Sequence, residues 1–233
     1  MIDFRTKKGF ICDMDGVIYH GNQVLPGVVE FIDWLHKENK EFLFLTNNSG
    51  STPRELQQKL ARMGLDVSEE HFYTSALATA AFLKEQAPGC SVYAIGEAGL
   101  LNALYDAGIT MNDVNPDYVV IGEGKSYSLD TLTKATNLVL KGAKLIGANS
   151  DLTGPIENGI APACRALIAP ITCNRKAGIL LWEAESFNDA YRTKYSGMSF
   201  RRSGDGWRSN GYRCNFRHGM WYVHRFGSVG CFQ

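Results

Sequence analysis

Along the first 171 residues, apolar runs that end in polar turn residues alternate with amphipathic stretches. GFICD (9–13) reads as a short buried strand that delivers Asp13 at its carboxyl end into a glycine-containing turn. VVEFIDWLHKEN (28–39) sets Val28, Phe31, Ile32 and Leu35 at helical spacing, and EFLFLTNNS (41–49) is a second buried strand running into turn residues. Ser51, Thr52 and Pro53 then open a helix that stops at Gly64. The rhythm repeats with a helix over 75–86, a strand over 91–97, a helix over 99–108, a strand over 117–123, a helix over 128–142 and a strand over 143–150. A polar loop over 151–162 leads into a last helical stretch, ACRALIAPI (163–171). This β-α-β-α order predicts an α/β protein with parallel sheets and helical crossovers, with a change of structural unit near residue 75.

Composition alters that picture at one place. The chain of 233 residues carries 24 Lys+Arg against 24 Asp+Glu, a formal net charge of zero, so charge alone points to no nucleic-acid partner. The neutrality is a sum of unlike parts. Residues 1–171 hold 14 Lys/Arg and 20 Asp/Glu (14 − 20 = −6), and residues 172–233 hold 10 and 4 (10 − 4 = +6). The second part contains 8 of the 12 Arg and 3 of the 4 Trp, and after Leu181 its only Val, Ile or Leu are Val223 and Val229. Such a segment has little aliphatic material for a core.

The N-terminus lacks the apolar run of a secretion signal, and no stretch approaches the roughly 20 apolar residues of a membrane helix, so a cytoplasmic protein without a membrane partner is expected. The cysteines (12, 90, 164, 173, 214 and 231) form no CxxC pair and suit neither a zinc ribbon nor a disulfide framework. Cys12, within a strand pattern, reads as a small buried thiol.

Two motifs carry candidate chemistry. Asp13-Met14-Asp15-Gly16 lies just beyond a strand end, where ligands bind in open parallel sheets. Two carboxylates there suit a hard cation such as Mg²⁺, and a carboxylate can also attack phosphorus. A solvated Asx-type turn explains the same four residues as well. Leu45-Thr46-Asn47-Asn48-Ser49 follows the second strand and offers hydroxyl, amide and backbone N–H groups to a phosphate, while helix capping by Ser49, Ser51 or Thr52 needs no ligand.

Taken together, DMDGVIYHG and LTNNS, followed by YTSALATAAFL, VYAIGEAGL and NPDYVVIGE, resemble the haloacid dehalogenase (HAD) superfamily of phosphohydrolases, in its NagD-like, class IIA or nitrophenylphosphatase-like branch. The resemblance runs from about residue 8 to about residue 171. It implies a Rossmann-like core whose N-terminal half is residues 1–75, with an inserted α/β cap over 76–171. By the same resemblance, Asp13 is the nucleophile and a Mg²⁺ ligand. Asp15 is the general acid/base and a second metal ligand through its carbonyl, and Thr46 and Asn47 bind phosphate. The implied activity is Mg²⁺-dependent hydrolysis of small phosphomonoesters (sugar or nucleotide phosphates, nitrophenyl phosphate) through an aspartyl-phosphate. The implied partner is a small phosphorylated metabolite, with a homo-oligomer formed through the cap left open. Residues 115–122 and 150–162 are cap stretches that could touch substrate, although capping and turns explain their composition as well.

The family needs two further motifs after the cap, a Lys in a Gly-Lys-Pro context and a Gly-Asp…Asp segment, and neither occurs after Ile171. With suitable synonymous codons, Thr172–Ala177 read one base later gives LATGK, Gly178–Phe187 gives AYYCGKPNP, and Trp207–Arg213 gives GDRTDI. Residues 172–233 are therefore read as an aberrant basic tail, a frameshifted rendering of the C-terminal half of the core. The expectation that follows is a catalytically inactive family member or a non-catalytic binding protein. The rival reading of the tail is a natural Arg/Trp-rich extension.

Overall fold

The computed structural model describes residues 9–156, 159–172, 179–181, 201–203, 206–209, 212–217 and 220–225. Strands β1 (Gly9–Asp13), β4 (Glu41–Thr46) and β5 (Phe72–Thr74) pair in parallel, with β4 central. Between β1 and β4 lie a small hairpin, β2 (Tyr19–His20) and β3 (Gln23–Val24), and helix α1 (Val28–Lys37). Helix α2 (Pro53–Arg62) follows β4. Thr52 caps α2 by accepting from Glu55 N while Glu55 reaches back to Thr52 N, and Pro53 sits where its missing N–H costs nothing. One face of β1 and β4 sends Phe10, Cys12, Phe42 and Phe44 into a core closed by Ile32 and Leu35 of α1 and Leu56 and Leu60 of α2. Cys12 is the buried thiol expected: it is wholly inaccessible, and burial, then the charge of Asp13, pushes its pKa up to about 12.

Helix α3 (Ser75–Gln86) leads from β5 into a second parallel sheet of β6 (Ser91–Ile95), β7 (Thr110–Met111), β8 (Tyr118–Ile121) and β9 (Lys144–Gly147). Helices α3 and α4 (Ala98–Asp106) pack on one of its faces around Val92, Val120 and Ile146. Helices α5 (Leu129–Leu140) and α6 (Cys164–Thr172) pack on the other around Val119, Ile121 and Leu145. The alternation along β8 explains both cores, because its four residues are all buried and point in turn to opposite faces. The α/β fold with parallel sheets is the one expected.

Three features differ from the sequence reading. The short edge strand β5 follows a 3-10 turn at Glu69–His71 and is too brief to leave a pattern. The stretch read as a loop over 151–162 contains a hairpin, β10 (Thr153–Ile156) with β11 (Gly159–Pro162); four-residue strands containing two prolines and two glycines do not alternate in the way strands are recognised. After Thr172, β12 (Ile179–Leu181) extends the second sheet in parallel beside β9. Strands β13 (Arg201–Ser203), β14 (Gly206–Ser209), β15 (Tyr212–Arg217) and β16 (Met220–Arg225) form an antiparallel meander whose last strand pairs with β1. Parallel order in the first sheet therefore ends at β1. Whether the tail has a core of its own falls outside the described residues.

Gly99, at the start of α4, sits where the connections of the two sheets meet with no room for a side chain. Its N–H donates to Gly50 O (2.9 Å), and a Cβ there would stand 2.6 Å from Ser51 O and 2.7 Å from Ser49 O. Since backbone cannot yield as a flexible side chain does, Gly99→Ala is expected to lower stability by about 1–3 kcal/mol in urea unfolding. A variant with unchanged stability would show that this loop shifts freely.

Candidate active site

The site forms where the carboxyl ends of the two parallel sheets face one another. A cavity of about 320 Å³ is lined by Asp13, Asp15 and Tyr19 after β1, by Thr46, Asn47 and Asn48 after β4, and by Lys59 of α2. From the second sheet come Glu123 after β8 and Asp151, Thr153 and Gly154 after β9. All four residues singled out from the sequence, Asp13, Asp15, Thr46 and Asn47, thus line one cavity. A larger groove of about 980 Å³ lies against Phe72, Leu77 and Ala103, away from these acids.

Met14 explains how both carboxylates reach the cavity. It is wholly buried in the first core, so the alternation along the chain leaves Asp13 and Asp15 on the open side. Beyond it Met14 O accepts from Ile18 N (2.9 Å), Gly16 N donates to Tyr19 O (2.8 Å), and Gly16 adopts φ 76°, a left-handed value suited to glycine. Asp13 Oδ1 accepts from Met14 N (2.8 Å). The carboxyl of Asp13 nonetheless lies above its ordinary range, through desolvation first, with the charges of Asp15 and Asp151 adding to it and the Met14 hydrogen bond opposing. The Tyr19 phenol, 3% exposed, is raised by burial and by the charge and hydrogen bond of Asp15.

The Thr46–Ser51 segment is a compact turn. Thr46 Oγ1 accepts from Asn48 N (3.1 Å), and Asn48 Oδ1 accepts from Gly50 N (2.8 Å) and Ser51 N (2.9 Å). Three backbone N–H groups that could have met a phosphate are thereby used within the turn. The capping alternative is also resolved: Thr52, not Ser49, caps α2, and Ser49 Oγ accepts from Glu123 N (2.7 Å). Asn149, wholly buried, donates to Asn47 O (2.8 Å) and to Glu123 Oε1 (2.6 Å), and Asn47 Nδ2 donates to Asp151 Oδ2 (3.1 Å).

Sequence reasoning missed Glu123, Asn149, Lys59 and Tyr19 and pointed only diffusely at Asp151. Glu123 closes the apolar run 117–123 as Asp13 closes 9–13, and that signal was available. Of residues 115–122 none lines this cavity; Asn115 to Tyr118 border a separate depression, since β8 begins at the other end of its sheet. Residues 150–162 do contribute, through Asp151, Thr153 and Gly154. Lys59 follows Leu56 by three positions on α2, and nothing in its local pattern separates it from a solvated lysine.

Electrostatically the cavity is unbalanced. Among the described residues it is lined by four carboxylates and one ammonium (4 − 1 = 3 negative charges), and neither Asp13 nor Asp15 has an ion pair within 4 Å. No cluster of three or more His, Cys, Asp or Glu arranged to hold a metal occurs among the described residues. A paired carboxylate set in a negative cavity still fits a hard dication that keeps several waters and takes its remaining ligands from phosphate.

Comparison with known proteins gives a consistent result. A family model described as haloacid dehalogenase-like hydrolase matches residues 10–110. The chain is 45% identical over 163 residues to a dihydroxyacetone phosphatase of Corynebacterium glutamicum, covering 70% of this chain and 59% of that protein. It is 43% identical over 166 residues to the ribonucleotide monophosphatase NagD of Escherichia coli, covering 71% and 65%. The chain thus spans about three fifths of the length of these curated relatives. Among solved structures, NagD from Escherichia coli superposes with a TM-score of 0.69 at 40% identity, covering 75% of this chain and 68% of that one. A 4-nitrophenylphosphatase from Thermotoga maritima superposes with 0.76 at 30% identity, covering 83% and 75%.

Glu123 offers a pH test of this electrostatic arrangement. Burial is the main cause that raises its carboxyl above the ordinary 4.5, Asp151 and Asp15 add to it, and hydrogen bonds from Asn149 and the Ser49 backbone oppose. A folded-state pKa above the unfolded one means a stabilising contribution that is full below about pH 4.5 and lost as pH rises through the raised value. Glu123→Gln keeps an oxygen for Asn149 without the charge. Without divalent cations, its melting temperature should match the parent's below pH 4.5 and exceed it at neutral pH; a difference that is flat between these limits would refute the account.

Proposed function

Because the chain belongs to the haloacid dehalogenase-like hydrolases, in their NagD-like branch, we propose that its site is built to hydrolyse small phosphomonoesters by nucleophilic attack of Asp13 on phosphorus. The observation that carries this reading is the convergence of Asp13, Asp15, Thr46 and Asn47 on one cavity of about 320 Å³, a volume suited to a small phosphorylated metabolite. The phosphatase names of the relatives point the same way.

Asp13 and Asp15 would hold a Mg²⁺ ion, which when bound offsets the charge of carboxylates and phosphate. The rest is the work of this chain. Thr46, which accepts from Asn48 N, has its own hydroxyl proton to donate to a phosphoryl oxygen, and the Asn47 amide is a second donor once Asp151 gives way. Asp13 attacks, the P–O bond to the leaving alcohol breaks, and Asp15 donates a proton to that alcohol. Asp15, now a base, takes a proton from the water that hydrolyses the aspartyl-phosphate. Thr153 and Gly154 of β10, with Glu123, line the cavity from the second sheet and would limit which leaving groups enter.

Residues 172–233 bear on whether this chemistry turns over. They contain neither the Gly-Lys-Pro nor the Gly-Asp…Asp text of the family, and the stretch matched to the curated relatives, 163 to 169 residues, is no longer than the 171 residues that precede them. We hold the tail to be a frameshifted reading of the normal C-terminal half, leaving this chain with an incomplete site. As written, the chain should show near-zero Mg²⁺-dependent release of nitrophenol from nitrophenyl phosphate. Its coding DNA read one base later from about Thr172 should yield GKP. The chain so restored should be active, and Asp13→Asn should abolish that activity. Brisk turnover by the present chain that Asp13→Asn removes would overturn the incomplete-site reading, and codons that yield no GKP would end the frameshift reading.

A further inference from the structure

Resting on the phosphatase reading, the structure assigns Lys59 a role in the site: we propose that its ammonium is an anion-binding group that contacts the substrate's phosphoryl group. Three observations carry it. Lys59 is the one cation among the described residues lining the cavity, alongside Asp13, Asp15 and Asn47. It is half-buried and has no ion pair within 4 Å among the described residues, whereas Lys134, a surface lysine, is paired with Asp113. Its position is fixed. Leu56 and Leu60, buried three positions before and one after it, pin α2 to the core, and the Thr52–Glu55 capping box sets the start of that helix. The ammonium stands 3.8 Å from the centroid of the Tyr19 ring, a side chain that also borders the cavity and meets Asp15.

A half-buried lysine held over an aromatic face, in a cavity otherwise lined by carboxylates, is poised for an anion rather than spent on one. The four acids do not claim it by direct pairing, and a dianionic phosphate entering between them needs positive charge on the protein side as well as a metal. The ring of Tyr19 orients the ammonium and leaves its N–H donors available to phosphoryl oxygens. Partial neutralisation of Asp15 is the competing role: Asp15 acts on Lys59 electrostatically, yet the two form no ion pair within 4 Å, so the ammonium keeps its donors for an incoming anion.

The experiment uses the full chain with Mg²⁺ and inorganic phosphate as the probe, titrated by calorimetry, with thermal unfolding recorded for each variant. The parent chain should bind phosphate. Lys59→Met, which keeps the aliphatic stem on Tyr19, should bind roughly tenfold or more weakly per folded molecule, and Lys59→Arg should recover most of the affinity. Equal affinity in the parent and Lys59→Met, whatever the change in melting temperature, would overturn the proposal and leave the phosphatase reading standing. Absence of phosphate binding by the parent itself would also overturn the proposal for this chain, whereas the phosphatase reading stands or falls with the activity of the frame-restored chain and its loss in Asp13→Asn.

Discussion

The two amide hydrogens of Asn149 join the halves of the site. Asn149 is wholly buried after β9, and it gives one hydrogen bond to Asn47 O after β4 and another to Glu123 Oε1 after β8. Ser75 Oγ donates to the same Asn47 carbonyl (2.7 Å), and Ser49 Oγ receives Glu123 N. A buried amide or carbonyl left unmatched costs about 1–3 kcal/mol, so the loop carrying Thr46 and Asn47 is set as much by the second sheet as by its own strand. The cavity is therefore one object. Its walls come from different sheets, yet they share a hydrogen-bond network that defines where a phosphate could sit.

The same convergence sets the electrostatic problem. Strand ends from both sheets deliver carboxylates, and burial raises those of Asp13 and Glu123 instead of any nearby cation lowering them. Asp151 rests on the Asn47 amide and so occupies a donor that the phosphate reading requires. On that reading, Asp151 stands where an anion would bind. Binding must exchange that contact for one to phosphate, which is favourable only when the remaining negative charge is offset. Within the protein, Lys59 is the group in position to contribute.

Much of this was legible in the sequence, for definite reasons. Apolar runs ending in Asp13 and in Thr46 announce buried strands, and a parallel sheet places both ends together, so both turns stood out as candidates, while it was the family resemblance that singled out Asp13, Asp15, Thr46 and Asn47. Helix starts at Thr52, Thr74 and Ser128 follow from side-chain caps that leave a local pattern. The remainder depends on tertiary placement. Asn149 falls in a stretch that reads as strand although β9 ends at Gly147, Asp151 opens a polar stretch that looks like any turn, and the hairpin there has no alternation to detect. Lys59 acquires its meaning from Tyr19, 40 positions earlier, and no helical periodicity conveys that.

The segment after Ile171 poses the converse case, in which composition is more informative than backbone pairing. Strand β16 completes hydrogen bonds along β1, and any extended chain can do so because pairing satisfies backbone groups without regard to side chains. A doubly wound sheet asks for more at that edge: aliphatic residues on both faces and a helix to cover them. From Trp182 onward the tail supplies Val223 and Val229 as its only branched aliphatic residues. The charge argument is parallel. Among the described residues the cavity carries three excess negative charges, and the tail's ten Lys and Arg against four acids show that positive charge alone is abundant in the sequence that follows. A catalytic site needs a charge in a defined position, and among the described residues that line the cavity this arrangement is met by the four acids and by Lys59.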